Sequence, residues 1–115
     1  MTETSWSSED DKLVTLAKGA RSRIQASWGA AVRDTTGRTY ASANVARENL
    51  TLSAVQLAVG QAVAAGAVGI EAVVVFGDSD QLDLHDVEIV RSIGGLGVPV
   101  HHLGATGERV SSQLT

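Results

Sequence analysis

The chain has 115 residues, of which 43 % are hydrophobic and 3 % aromatic, with no cysteine and a net charge of −4. That length fits one domain, which buries about two-thirds of the surface its unfolded form exposes. The acidic balance excludes the basic footprint of a general nucleic-acid binder, and the missing cysteine excludes disulfides and thiolate-held metal.

With so few aromatic residues, the core must be filled by Ala, Val, Ile and Leu, and such small side chains need close backbone approach to reach interior density. The start, Met1-Thr2-Glu3-Thr4, is polar and acidic, so no secretory leader is expected, and residues 1–6 are expected to be disordered. Residues 7–115 are expected to form a single domain. Ser7 or Ser8 can cap a first helix, with Asp10 or Asp11 three residues on in the capping-box position. Leu13, Leu16, Ala17 and Ala20 fall on one face of it, and it is expected to end near residue 22. Lys18, Arg21 and Arg23 form the one basic cluster; at a helix end they offset the dipole, a structural role preferred over a phosphate site.

Trp28 to Val32 and Arg38 to Val45 are expected to pair as a hairpin, with Gly37 in its turn. Asn49 is taken as the cap of a second helix, Leu50 to about Ala65, apolar or small around most of its circumference and therefore expected to be central and buried. Ile70 to Phe76 is a β-branched run of the kind covered on both faces of a sheet. The longest apolar run, around residues 62–76, is broken by Gly66, Gly69 and Glu71 and is too short to span a bilayer. Asp83 can cap a third helix, Leu84 to Ile93, stopped by Gly94-Gly95; Val98 to Leu103 and Glu108 to Val110 or beyond complete the strands. This order predicts a three-layer α/β/α sandwich on a mixed five-stranded sheet, with parallel crossovers between its later strands.

The local residues narrow the choice of fold. Gly29-Ala30-Ala31 opening one strand, Asn44-Val45 closing the next, and Leu50-Thr51-Leu52-Ser53-Ala54-Val55-Gln56 at a helix head resemble the small homotetrameric cytidine deaminases. The resemblance implies a zinc enzyme in which an Asn and a Glu hold the ribose, one Cys and a later Pro-Cys-x-x-Cys bind the metal, and a Glu moves protons. In this chain the Asn is kept as Asn44, the ribose Glu falls on Ala46, the first zinc Cys on Ser53 and the proton-shuttle Glu on Val55. At the head of the third helix, Asp83-Leu84-His85-Asp86-Val87 has neither the Pro nor a Cys. Deamination by zinc needs three ligands to acidify a water and a carboxylate to carry protons. A neutral hydroxyl and an isopropyl group supply neither. The chain is therefore expected to be a degenerate member of that family, with no catalytic residue, no metal ligand and no cofactor.

Other constellations are weak. His101 and His102 are adjacent on an expected strand, so they point to opposite faces and cannot share one ion. His85 beside Asp86 is a thin ligand set, and an exposed histidine is the preferred reading. Asp78, Asp80, Asp83 and Asp86 lack the glycine and closing Glu of a calcium loop. Gly94-Gly95-Leu96-Gly97 follows a helix instead of opening one, so it cannot cradle a phosphate.

The expected function is an inactive, oligomeric scaffold or regulatory protein of the cytoplasm, a dimer or tetramer assembled through helix 50–66, with an unidentified protein as a further partner. The alternative is a module that binds a nucleoside-like molecule in a remnant pocket at Asn44, Ala46, Ser53 and Val55. A third alternative is a cytidine deaminase by descent only. Neither nucleic acid nor a membrane is an expected partner.

Overall fold

The computed structural model describes residues 7–79 and 81–115; the expectation of disorder for residues 1–6 lies outside them. In chain order the elements are α1 (Ser8–Arg23), β1 (Trp28–Asp34), β2 (Thr39–Ala43), β3 (Val45–Arg47), β4 (Leu50–Leu52), α2 (Ala54–Ala64), β5 (Ile70–Gly77), α3 (Leu84–Gly94), β6 (Pro99–Leu103) and β7 (Arg109–Leu114). Five strands form one sheet in the order β2-β1-β5-β6-β7, and β3 and β4 form a separate two-stranded ribbon. Among the described residues only β5 and β6 are parallel, bridged by α3; the β1–β2, β1–β5 and β6–β7 pairs are antiparallel. The sheet is mixed as expected, with fewer parallel crossovers than the element order implies, because β1 enters between β2 and β5 and runs opposite to both.

Strand alternation sorts the core into two layers. Leu13 and Ala17 of α1 pack on Ala31, Ala72, Val74, Phe76 and Leu103. On the opposite face Ala54, Val55, Ala58 and Val59 of α2 and Val90 of α3 pack on Ala30, Val32, Val73, Val75 and Val100. The sandwich therefore has α1 on one side and α2 with α3 on the other. Its small residues do what the composition requires, and Gly29 is the clearest instance. A Cβ there would overlap the carbonyl oxygen of Ala17 in α1, so the Gly-Ala-Ala opening of β1 lets helix backbone lie directly on strand backbone.

Polar groups fasten the same face. Asp10 Oδ2 accepts the Ser7 N–H at 3.0 Å, as the capping-box spacing predicts. Asp10 Oδ1 accepts from Arg33 Nη2 at 3.1 Å, and Arg33 Nε donates to Glu71 at 2.6 Å. Burial opposes the Arg33 charge, but hydrogen bonds to Glu71 and Asp10 outweigh it and hold the guanidinium firmly protonated. His101 lies on this side, Nε2 3.7 Å from Asp10 and Nδ1 2.8 Å from Ser112, whereas the His102 ring sits 5.5 Å from Trp28 on the other. The two histidines do face opposite ways, and both are fully buried. Arg21 also has a structural part: it binds the Ser27 carbonyl and Asp78 and lies over the Phe76 ring.

Two boundaries differ from expectation. Arg38 to Val45 is not one strand: β2 stops at Ala43, and Val45 begins the ribbon. Leu50 to Leu52 is strand β4, paired to β3 through Val45↔Leu52 and Arg47↔Leu50, so helix 50–66 is in fact Ala54–Ala64. Its cap is Ser53, not Asn49. Ser53 Oγ accepts the Gln56 N–H at 2.9 Å, and the Gln56 side chain accepts the Ser53 N–H at 2.7 Å, a complete capping box. The helix is also less enclosed than expected. Gly60, Gln61, Val63 and Ala64 are exposed on this chain. The last strand runs to Leu114, as the expectation of an end at Val110 or beyond allows.

Candidate functional site

The start of α2, the β3–β4 ribbon and the start of α3 surround a pocket of about 660 Å³. That volume is within the range of about 300–1,000 Å³ usual for small-molecule sites. Asn44, Ala46, Ser53 and Val55, the four remnant positions, all line it. Val55 is fully buried in the wall and Ala46 is exposed at the ribbon.

Each polar group is positioned by local structure. Asn44 accepts the Trp28 N–H on its side-chain oxygen at 3.0 Å, while its own N–H bonds the Trp28 carbonyl at 3.3 Å. It thus fixes the turn out of β2, as the short amide side chain of an Asn at a strand end can. Ser53 caps α2 and donates its hydroxyl to Asp86 Oδ1 at 2.7 Å. Asp86 is half-buried; desolvation pushes its carboxyl above the ordinary value, against the lowering effect of the Ser53 hydrogen bond. Asp83 caps α3 by accepting the His85 N–H at 2.9 Å. His85 is exposed, as expected.

Trp28 supplies the aromatic wall. A Cβ on Gly77 would overlap its indole, so the glycine at the end of β5 lets the ring lie flat on the strand. The sequence marks Trp28 only as a strand residue, and Asp86 only as part of a thin ligand set with His85 and as one carboxylate of the acidic stretch 78–86. Their convergence on Ser53 could not be read from spacing.

The zinc that the resemblance implies can be judged on these donors. The Ser53 hydroxyl is engaged by Gln56 and Asp86, and Asp83 Oδ1 is engaged by the α3 cap. Zinc sites of this kind rest on thiolates and imidazoles that present lone pairs to one point. A neutral hydroxyl with two carboxylates held on helix caps does not fit a zinc centre of this kind. Among the described residues, no three His, Asp or Glu side chains are grouped to hold a metal ion. No helix among them is long and apolar enough to cross a membrane.

The profile of a family described as cytidine deaminase-like matches residues 6–107. Among solved structures the fold is similar to cytidine deaminase from Burkholderia pseudomallei, with a TM-score of 0.77, 21 % identity, and coverage of 91 % of this chain and 90 % of that one. It is similar to cytidine deaminase from Mycobacterium leprae, with a TM-score of 0.64, 22 % identity, and coverage of 90 % and 91 %. A mutant cytidine deaminase from Mycobacterium tuberculosis gives 0.67 and 19 %, with coverage of 94 % and 93 %. Among curated proteins no relative matches. Identities this low speak for the fold alone; the match across 6–107 speaks for descent. The chain belongs to the cytidine deaminase-like family.

Proposed function

We propose that this chain is a non-deaminating member of its family that binds a nucleoside-sized molecule in the pocket between the ribbon and the heads of α2 and α3. The observation that carries this reading is the Ser53–Asp86 hydrogen bond at the pocket wall. It places a hydroxyl and a carboxylate where the resemblance implies a thiolate cluster, and Val55 offers no group to move a proton. The sequence favours a scaffold because Ala46 and Ser53 leave few polar anchors. Asp86, Gln56 and Thr51 add such groups to the same cavity, and a few convergent polar groups in an apolar pocket are what small-molecule recognition requires.

Thermal denaturation with a panel of nucleosides and bases, run beside a cytidine turnover assay and metal analysis of the purified protein, tests the reading. Saturable stabilisation without turnover is the expected result, because a ligand that binds only the folded state raises its stability. Stoichiometric zinc or any conversion of cytidine to uridine overturns it.

The scaffold reading keeps one specific support. Gly60, Val63 and Ala64 present a small, apolar face of α2 to solvent, the kind of surface that allows close helix packing between copies. Light scattering after size exclusion at micromolar concentration should then give a dimer or tetramer, and a clean monomer removes this reading.

A further inference from the structure

Resting on the pocket-binding reading above, we infer that the ligand is a planar molecule bearing a protonated nitrogen, an amidinium or ring-borne ammonium, held between the Trp28 indole and the Asp86 carboxylate. The charge of the cavity carries the argument. Among the described residues its lining includes two carboxylates, Asp83 and Asp86, one histidine, the exposed His85, and no lysine or arginine. Each helix start contributes roughly half a positive charge. Asp83 is fastened to the start of α3 through the His85 N–H, so about half of its charge is offset there. The start of α2 has no acidic residue in its first turn, and its half charge offsets only part of Asp86. The pocket is left net negative.

Asp86 is also short of partners. Among the described residues its carboxylate takes one hydrogen bond, from Ser53 onto Oδ1. Half-buried as it is, it has lost water, and burial leads in raising its protonation range, with neighbouring Asp83 adding to the rise and the Ser53 hydrogen bond and the His85 charge opposing it. A charge in that position gains from a cation far more than a solvated one does. The indole supplies the other half, since a flat cation over an aromatic face is attracted by the ring's electrons. The same field repels phosphates and carboxylates, so phosphorylated nucleosides are refused despite the two helix starts.

Three ring compounds of one size and three charges, benzamidine, benzamide and benzoate, test this by amide-resolved NMR titration. A second trio of nucleoside size does the same: 1-methyladenosine, whose planar base carries the positive charge, adenosine and adenosine 5′-monophosphate. The expected result is that the cation of each trio binds at least tenfold tighter than its neutral partner, that the anions do not bind, and that Asp86→Asn removes the preference. The ranking in the unaltered protein decides the matter even if the variant fails to fold. Equal or tighter binding of the neutral or anionic members overturns the inference while leaving the pocket reading intact. Absence of binding by all six compounds removes both.

Discussion

The hydroxyl of Ser53 and the carboxylate of Asp86 meet at 2.7 Å across 33 positions of sequence, and that single bond joins the heads of α2 and α3. Ser53 is also the helix cap, so Ser53→Ala removes two interactions at once. Loss of a cap costs about 1 kcal/mol, and a solvent-screened hydrogen bond to a carboxylate adds a similar amount. Urea denaturation should show a loss of about 1–3 kcal/mol. Ser53→Thr, which keeps a capping hydroxyl, should recover most of it; an equal loss in both variants would mean that the hydroxyl does not do this work.

Close backbone approach makes Gly29→Ala the most damaging small change in β1. The new methyl would overlap the Ala17 carbonyl, and neither the helix nor the strand backbone can rotate out of its way. The expected cost is about 1–3 kcal/mol of overpacking. Ala30→Gly, one residue on and facing α2, tests the other sense, since it loses contact without a clash. The measurement is the denaturation midpoint, with α1 amide exchange accelerated in Gly29→Ala.

How much of this was legible depended on the range of the interaction. Ile70–Gly77 announces itself because a run of β-branched residues has few other uses, and Asp10 announces its capping box because the spacing is three. Leu50-Thr51-Leu52 misleads. Three apolar or small residues ahead of a helix continue its pattern, and only pairing with Val45–Arg47 makes them a strand. The true cap was nonetheless written locally, in Ser53 and Gln56 three positions apart, the same spacing that marks α1. The Ser53–Asp86 bond and the Trp28–Gly77 contact were not legible, since they join segments that meet only after the sheet has formed.

Acid sensitivity is built into the first hairpin. Asp34 Oδ1 accepts from the Thr36 hydroxyl, the Thr36 N–H and the Arg38 N–H, and Oδ2 accepts from Tyr40. The Thr36 hydroxyl leads in holding the carboxyl down at about 2, against the opposing effect of burial. A depressed carboxyl gives stability that is complete above the unfolded value of about 3.9 and is lost as pH falls toward 2. Asp34→Asn should therefore lower the midpoint at pH 7 and flatten its decline between pH 4 and 2. An unchanged acid limb would refute the assignment.

A second pH dependence has its origin in His101. Burial pushes the imidazole below its ordinary range; Asp10 pulls the other way, and the charges of Arg109 and Arg33 push with burial. The folded protein keeps this ring neutral where the unfolded chain protonates it. Stability is thus complete above about 6.5 and falls as pH drops through that value toward the folded one. Urea midpoints at pH 7.5 and 5.5 should differ in that sense, and His101→Gln should narrow the gap.

The flat seat that Gly77 gives Trp28 has an optical consequence. The indole borders the cavity on one side and the His102 imidazole on another, so its excited state samples both the occupant and the protonation of a neighbour. With Trp6 replaced by Phe, emission would arise from this one chromophore, and the protein would carry its own reporter of filling and emptying without any added dye.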